Sequence, residues 1–393
     1  MRAREAGVEI GLGTPGPLNA ITDVAGVRVG AVTLVEGDGP LVVGKGPVRT
    51  GVTVIVPHEG EISEEPLFAG CHTLNGNGEF TGLEWVRESG LLMSPIALTN
   101  THSVGVTRDA MVRREVEARG PGKLYWSMPH VGETWDGYLN DIGGQHVRAE
   151  HVREALARAA GGPVPEGNAG GGTGMICHEF KGGTGTASRV VELGGERFTI
   201  AALVQANHSS RAVFSVNGVP VGQILDDAAV PLPVAPEAVG AAGTARREAK
   251  ASPGAGPISG AGSIIVVLAT DAPLLPVQLR RVAQRAGMGL AYLGAYGDHF
   301  SGDIFLAFST ANRGIPRQDY EAGGPVRLRA EWVSLPHFDA LLQGAAEATA
   351  EAILNAMLQA ETMVGRDGVT AHALDGPRLT EILDRYGRRT FRP

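Results

Sequence analysis

Two cysteines in 393 residues, Cys71 and Cys177, are too few for a disulfide framework and read as buried thiols in a reducing compartment. Long apolar runs are missing too: none approaches a membrane span, and the opening Met-Arg-Ala-Arg-Glu-Ala-Gly lacks the apolar centre of a signal peptide. No basic run exceeds an arginine pair, as at Arg246-Arg247 and Arg388-Arg389, and the net charge is −8. Neither nucleic acid nor an anionic membrane surface is therefore expected as a partner. The 11 histidines include no His-Glu-x-x-His or comparable ligand spacing, which argues against a metal hydrolase; no metal or other cofactor is expected. No internal repeat is visible. The expectation is a soluble cytoplasmic protein, long enough to bury a substantial core.

Glycine, by contrast, is abundant at 57 residues, which favours tight turns and short strands over a helical bundle. The most informative stretch runs from Pro257 to Pro273. A loose glycine-rich segment ends at Gly262, and a strand pattern begins at Ser263 without transition. Ile264 to Leu268 are five consecutive aliphatic residues, which suits a strand buried on both faces. Residues 231–262, rich in Ala, Pro, Gly and Val, read as an exposed strap. A strap feeding a Gly-Ser bond at the mouth of a central strand is the arrangement that self-cleavage needs. The Ser263 hydroxyl would attack the Gly262 carbonyl, the acyl group would pass from nitrogen to oxygen, and water would release the ester. Ser263 would then be an amino-terminal nucleophile whose own α-amino group, titrating near ~7.7–8.0, is a general base. A Gly-Ser turn that merely opens a strand fits the same residues.

Elsewhere, Val27–Val35 and Gly51–Pro57 read as strands of one sheet. The polar loop Thr73–Gly82 is either a connection or, through Gly76 and Gly78, the lining of a pocket. A helix after Asn100 carries Met111, Val112 and Val116 on one side and ends at Gly120. His102, at its start, could be catalytic or a capping residue. Val131–Asn140 combines Glu133, Asp136, Trp135 and Tyr138; that mix suits a small cationic ligand and equally suits a strand-to-helix junction. Gly167–Gly174 and Lys181–Thr186 lack the Gly-Lys-Ser/Thr ending of a phosphate loop and the Rossmann spacing, so they read as hairpin and bulge glycines. Asn207 follows a strand and could donate to an oxyanion or simply end a turn. Ser301 and Asp303 sit at the lip of the strand Ile304–Ser309, beside the start of a neighbouring strand at Ser263. Helices are predicted from Asp271, with Leu275, Leu279, Val282 and Ala286 on one face, from about Pro336 to Met363, and from Asp375, with Leu379, Ile382, Leu383 and Tyr386 as core. Strands on both sides of the strap, with helices between groups of strands, indicate an α/β layered sandwich in one domain spanning 1–393.

Taken in order, these residues resemble the self-processing serine aminopeptidases, which include the L-aminopeptidase/D-esterases and the β-peptidyl aminopeptidases. The likeness runs through Gly13–Pro17, Asn19–Asp23, Asn75–Gly82, Glu133–Gly137, Gly172–Met175, Phe180–Arg189, Leu203–Asn207, Gly262-Ser263, Ala269–Pro273 and Ser301–Asp303. The resemblance implies an αββα sandwich like that of the N-terminal-nucleophile hydrolases with different connectivity. It implies cleavage at Gly262–Ser263 into a heavy chain, 1–262, and a light chain, 263–393, with four such pairs in a homotetramer. By the same resemblance Ser263 is the nucleophile, Ser301 and Asp303 assist it, Asn207 belongs to the oxyanion hole, and Glu133 grips the free amine of a small peptide, amide or ester. Some relatives carry Glu where this chain has Asp303, and Trp135 stands where others have Tyr or an aliphatic residue, so substrate preference is open. Two rivals remain: an ornithine-acetyltransferase-like acyl transferase, whose new N-terminus is Thr where this chain has Ser263, and a non-catalytic assembly or binding protein with the same fold.

Overall fold

β-Branched runs broken by glycine turns build two large sheets, with two two-stranded ribbons beside them among the described residues. The structure, a computed structural model, describes residues 1–233, 262–321 and 323–390, so most of the expected strap, Arg246-Arg247 included, lies outside the described residues. The strands among the described residues are β1 (Arg28–Glu36), β2 (Val48–Val56), β3 (Leu67–Gly76), β4 (Leu91–Leu92), β5 (Ile96–Asn100), β6 (His130–Thr134), β7 (Ile176–Cys177), β8 (Phe180–Lys181), β9 (Gly183–Leu193), β10 (Glu196–Asn207), β11 (Ser263–Thr270), β12 (Gly302–Ser309), β13 (Met363–Val364) and β14 (Thr370–Ala371). The helices are α1 (Leu83–Ser89), α2 (Val104–Arg119), α3 (Ala149–Ala157), α4 (Val221–Ile224), α5 (Pro276–Tyr292), α6 (Asp339–Leu358) and α7 (Gly376–Arg385). One sheet has the order β1-β2-β5-β6; the other, six-stranded, has the order β4-β3-β12-β11-β10-β9.

The layers follow from strand alternation. On β11, Ile265, Val267 and Ala269 face Ile55, Ile96 and Leu98 of the other sheet, and Ile264, Val266 and Leu268 face the helices, with Leu279 and Val282 of α5 and Ile353 of α6. Outside the four-stranded sheet, Val52, Val54 and Val131 pack on Met111 of α2 and Val152 of α3. The result is an αββα sandwich, as the resemblance implied. Among the described residues no helix is long and apolar enough to cross a membrane.

Glycine accounts for the close approaches. A Cβ on Gly185 would lie 2.0 Å from the Ala352 carbonyl oxygen of α6, and one on Gly171 would lie 2.1 Å from Oε1 of Gln205. The glycine motifs read as hairpin and bulge residues are thus mostly packing glycines: Gly183 and Gly185 are inside β9, and Gly170–Gly172 form a buried 3-10 turn packed against both sheets. Four helix expectations shift likewise. Val116 and Tyr386 are exposed, Leu274 is buried where Leu275 was expected, and α6 spans Asp339–Leu358 only. Local periodicity places an apolar stripe, but the neighbouring elements decide which edge of the stripe they cover.

Candidate active site

Ser263 is the first residue of β11, and its position is defined from both sides. Across the antiparallel ladder its partner is Asn207, the last residue of β10; across the parallel ladder its partner is Gly302, the first residue of β12. Directly opposed residues of an antiparallel pair project to the same face, so Ser263 and Asn207 share the face of Ile265 and Leu203, which looks toward the other sheet. Gly302 contributes no side chain, and its amide donates to Ser263 Oγ at 3.1 Å. Ser263 is 6% exposed, low enough for its hydroxyl to be held by protein and not by bulk water.

The flanking groups are themselves held. Ser301 Oγ donates to Asp303 Oδ1 at 2.6 Å, and Asn75 Nδ2 donates to Asp303 Oδ2 at 3.3 Å and to the Asp298 carbonyl at 2.9 Å. Burial pushes the Asp303 carboxyl up to about 6, against the lowering effect of the Ser301 and Asn75 hydrogen bonds. Asn207 is gripped at both ends: Oδ1 accepts from the Ile176 amide at 2.8 Å, and Nδ2 donates to the Trp135 carbonyl at 2.9 Å. An amide NH2 has two hydrogens, so one remains for a further acceptor.

Glu133 lies on β6, in the other sheet. Its Oε1 accepts from the Glu79 amide at 2.8 Å and its Oε2 from the Thr101 hydroxyl. Burial pushes its carboxyl up from the ordinary range, more than the Thr101 and Glu79 hydrogen bonds lower it. Gly78 bridges this carboxylate to β12, since a Cβ there would lie 3.0 Å from Glu133 Oε1 and 3.3 Å from Gly302 Cα. The loop after β3 is therefore part of the site. Asn77 fixes it further by donating to the Phe300 carbonyl at 2.7 Å. Trp135 is half-exposed and meets the Tyr138 ring edge-on at 4.9 Å. His102, at a helix start, is exposed, its ring lies 3.3 Å from the Ile142 carbonyl oxygen, and its charge acts on Glu133 from a distance.

Gly262 has no room for a side chain, because a Cβ there would lie 2.1 Å from the Asn207 carbonyl oxygen. The bond before Ser263 is thus pressed against the strand end that carries Asn207. The structure brings together Gly262, Ser263, Asn207, Ser301 and Asp303, with Glu133 adjoining through Gly78 and Trp135 through its carbonyl. Sequence reasoning passed over Asn75, Thr101 and the Gly302 amide. Their contributions are hydrogen bonds across sheet edges, which have no periodic signature. It also passed over Lys181, which is fully buried and donates to the carbonyls of Gly172, Met175 and Gly182, shaping the loop that delivers the Ile176 amide. A cleft of ≈ 670 Å³ beside α5, bordered by Cys71, Arg87 and Arg280, is lined by none of these site residues.

The model of peptidase family S58 matches residues 19–371. A β-peptidyl aminopeptidase from Sphingosinicella microcystinivorans is 47% identical over 387 residues, covering 98% of this chain and 93% of the relative. Among solved structures, a β-aminopeptidase from a Burkholderia species superposes with a TM-score of 0.86 at 50% identity, over 100% of both chains. The L-aminopeptidase D-Ala-esterase/amidase of Ochrobactrum anthropi, described as a variant of the N-terminal-nucleophile hydrolase fold, gives 0.85 at 44% identity, over 98% of this chain and 99% of that one.

Proposed function

Because the chain belongs to peptidase family S58 and is an aminopeptidase, we propose that it activates itself by cutting Gly262–Ser263 and then works through an acyl-enzyme on Ser263. The observation that carries this reading is the placement of Ser263: a buried hydroxyl at the first residue of a central strand, held by the Gly302 amide between Asn207 and the Ser301–Asp303 pair. In the processing step the Ser263 hydroxyl attacks the Gly262 carbonyl carbon, the C–N bond breaks, and the proton passes to the departing nitrogen, which becomes the new α-amine. Water then hydrolyses the ester and leaves the heavy chain, 1–262, and the light chain, 263–393.

In turnover the new α-amine takes the Ser263 proton as the hydroxyl attacks the substrate's first carbonyl. Ser301, polarised by the Asp303 carboxylate, orients that amine. Asn207 supplies an N–H to the developing oxyanion; loss of one such donor typically costs ~10²–10³ in turnover. The buried Glu133 carboxylate takes the free ammonium of the substrate, with Trp135 as a wall. Substrates are small peptides, amides or esters with a free N-terminal amine. Two of the relatives named above are a β-peptidyl aminopeptidase and a β-aminopeptidase, which supports peptides with a β-residue first as the preferred class. Cytoplasmic location fits two free buried thiols. Assembly into tetramers of heavy/light pairs fits the exposed Tyr320, Val326, Leu328, Trp332 and Leu335 on one segment.

The test is the intact mass, under denaturing conditions, of the wild type beside Ser263→Ala. Two wild-type fragments, the lighter beginning at Ser263, and one full-length variant chain are expected. A single full-length, active wild-type chain would remove the self-processing reading.

A further inference from the structure

The turn between β7 and β8 consists of His178 and Glu179, both with positive φ, 49° and 59°. Two left-handed residues in a two-residue hairpin are what Asn-Gly supplies cheaply, and neither His nor Glu does. Next to it, Ser209, just after His208, also has positive φ, 67°. The two segments are joined by the His178 amide, which donates to the His208 carbonyl at 2.8 Å. They turn three side chains inward: Cys177, His178 and His208, whose ligand-capable atoms all lie within 4.8 Å of one another and whose exposures are 0%, 0% and 3%.

Hydrogen bonding in this group is incomplete. His178 Nδ1 lies 3.1 Å from the Ser210 carbonyl oxygen, which can only accept, so Nδ1 carries the proton and Nε2 presents its lone pair. Among the described residues that Nε2 has no hydrogen-bond partner; His208 faces Cys177 through Nδ1, and its Nε2, also unpaired there, is the nitrogen left to carry that ring's proton. Cys177 Sγ is 3.6 Å from His208 Nδ1, close to the ~3.5 Å that separates a sulfur and a nitrogen ligand on one tetrahedral ion with bonds of ~2.3 and ~2.0 Å. A fixed second hydrogen bond that leaves the other ring nitrogen unprotonated is the usual arrangement of an imidazole ligand.

We propose that Cys177, His178 and His208 form a binding site for one soft, closed-shell metal ion, Cu(I) or Zn(II). Sulfur with two imidazoles is the donor set such ions prefer. Binding replaces the thiol proton: the S–H bond breaks, an S–metal bond forms, and the proton leaves to water. Charged groups close by are Lys181, which is held by backbone carbonyls, Arg211, which stacks on Phe180 at 4.1 Å and donates to the Glu179 carbonyl, and the buried Glu179 carboxylate, which accepts from the Arg211 amide at 3.3 Å. A thiolate with Cu(I) and two neutral imidazoles is uncharged overall, whereas Zn(II) leaves one positive charge, so the dry surroundings favour Cu(I). The ion takes no step in catalysis. It clamps the 175–179 turn to the 207–210 segment, directly behind Asn207, whose Oδ1 is held by the Ile176 amide. Binding itself does not depend on the role proposed for Asn207.

The experiment is elemental analysis of the full chain purified from cells supplied separately with copper or zinc, for the wild type, Cys177→Ser and His178→Asn. Asn suits the left-handed turn while removing the ligand, and circular dichroism checks the fold of each variant. The expected result is about one ion per wild-type chain in one of the two arms, falling roughly tenfold or more in both variants. Filling in the copper arm alone marks the uncharged complex, and filling in the zinc arm marks the cationic one; either supports the site. A wild type with less than about a tenth of an ion per chain in both arms overturns it, as does metal content unchanged in both variants. If neither variant folds, the wild-type stoichiometry decides alone.

Discussion

Two of the regions where this molecule buries carboxylates treat them oppositely. Away from the site, Glu347 and Glu351 of α6 surround Arg189 of β9, at 3.1 and 2.8 Å, and Arg4 adds a second guanidinium to Glu351 at 3.2 Å. Burial alone would raise the Glu347 carboxyl, but the amides of Leu12 and Gly13, Gln343 and Arg189 together hold it below its ordinary range. At the site, Glu133 and Asp303 have neutral donors and, among the described residues, no ion pair. Both are pushed upward. A carboxylate given its cation by the fold is structural, joining an early strand to a late helix. One left without a cation keeps a place for a cation from outside, which at Glu133 is, under the function proposed above, the substrate's ammonium, or stays free to exchange a proton near neutrality, as at Asp303.

The hardest blow to this contrast is at the paired end. Arg189→Met leaves Glu347 buried without its guanidinium and is expected to cost about 3–5 kcal/mol in urea unfolding. A loss under about 1 kcal/mol would mean that the cluster is not the clamp described. At the site, Glu133→Gln keeps the shape and removes the charge. Its kcat/KM toward a free-amine peptide amide is expected to fall roughly 10²-fold, with an N-acetylated substrate unaffected; an equal fall for both would show that Glu133 shapes the site without reading the amine. The smallest effect is in pH. Asp303 accepts from Ser301 most strongly when ionised, so kcat/KM should decline as pH falls through about 6, and Asp303→Asn should lack that limb. A limb near 6 that survives in Asp303→Asn would assign it to another group.

Much of the site was legible. Ser263 at a strand start, Asn207 at a strand end, and Ser301 with Asp303 at a strand lip follow from β-branched runs and their polar borders, and all four lie where strands β10, β11 and β12 adjoin. The supports were not legible. Asn75 reaches Asp303 across 228 residues of chain and Asn207 reaches the Trp135 carbonyl across 72; neither pairing has a period. The glycine run at 167–174 looked like turn chemistry, because a sequence cannot distinguish a glycine needed for φ from one needed for contact.

By itself the sequence determined which segments are strands and helices, which faces are apolar, and which residue types border them, since these depend on neighbours one to four positions away. Only the tertiary structure decided the sheet order that sets Ser263 between Asn207 and Gly302, and the approach of Gly78 that ties Glu133 to β12. It alone assembled Cys177 and His178 with His208. Those meetings depend on pairing between distant strands, where the free energy lies in burial and hydrogen bonds made across the fold, not along the chain.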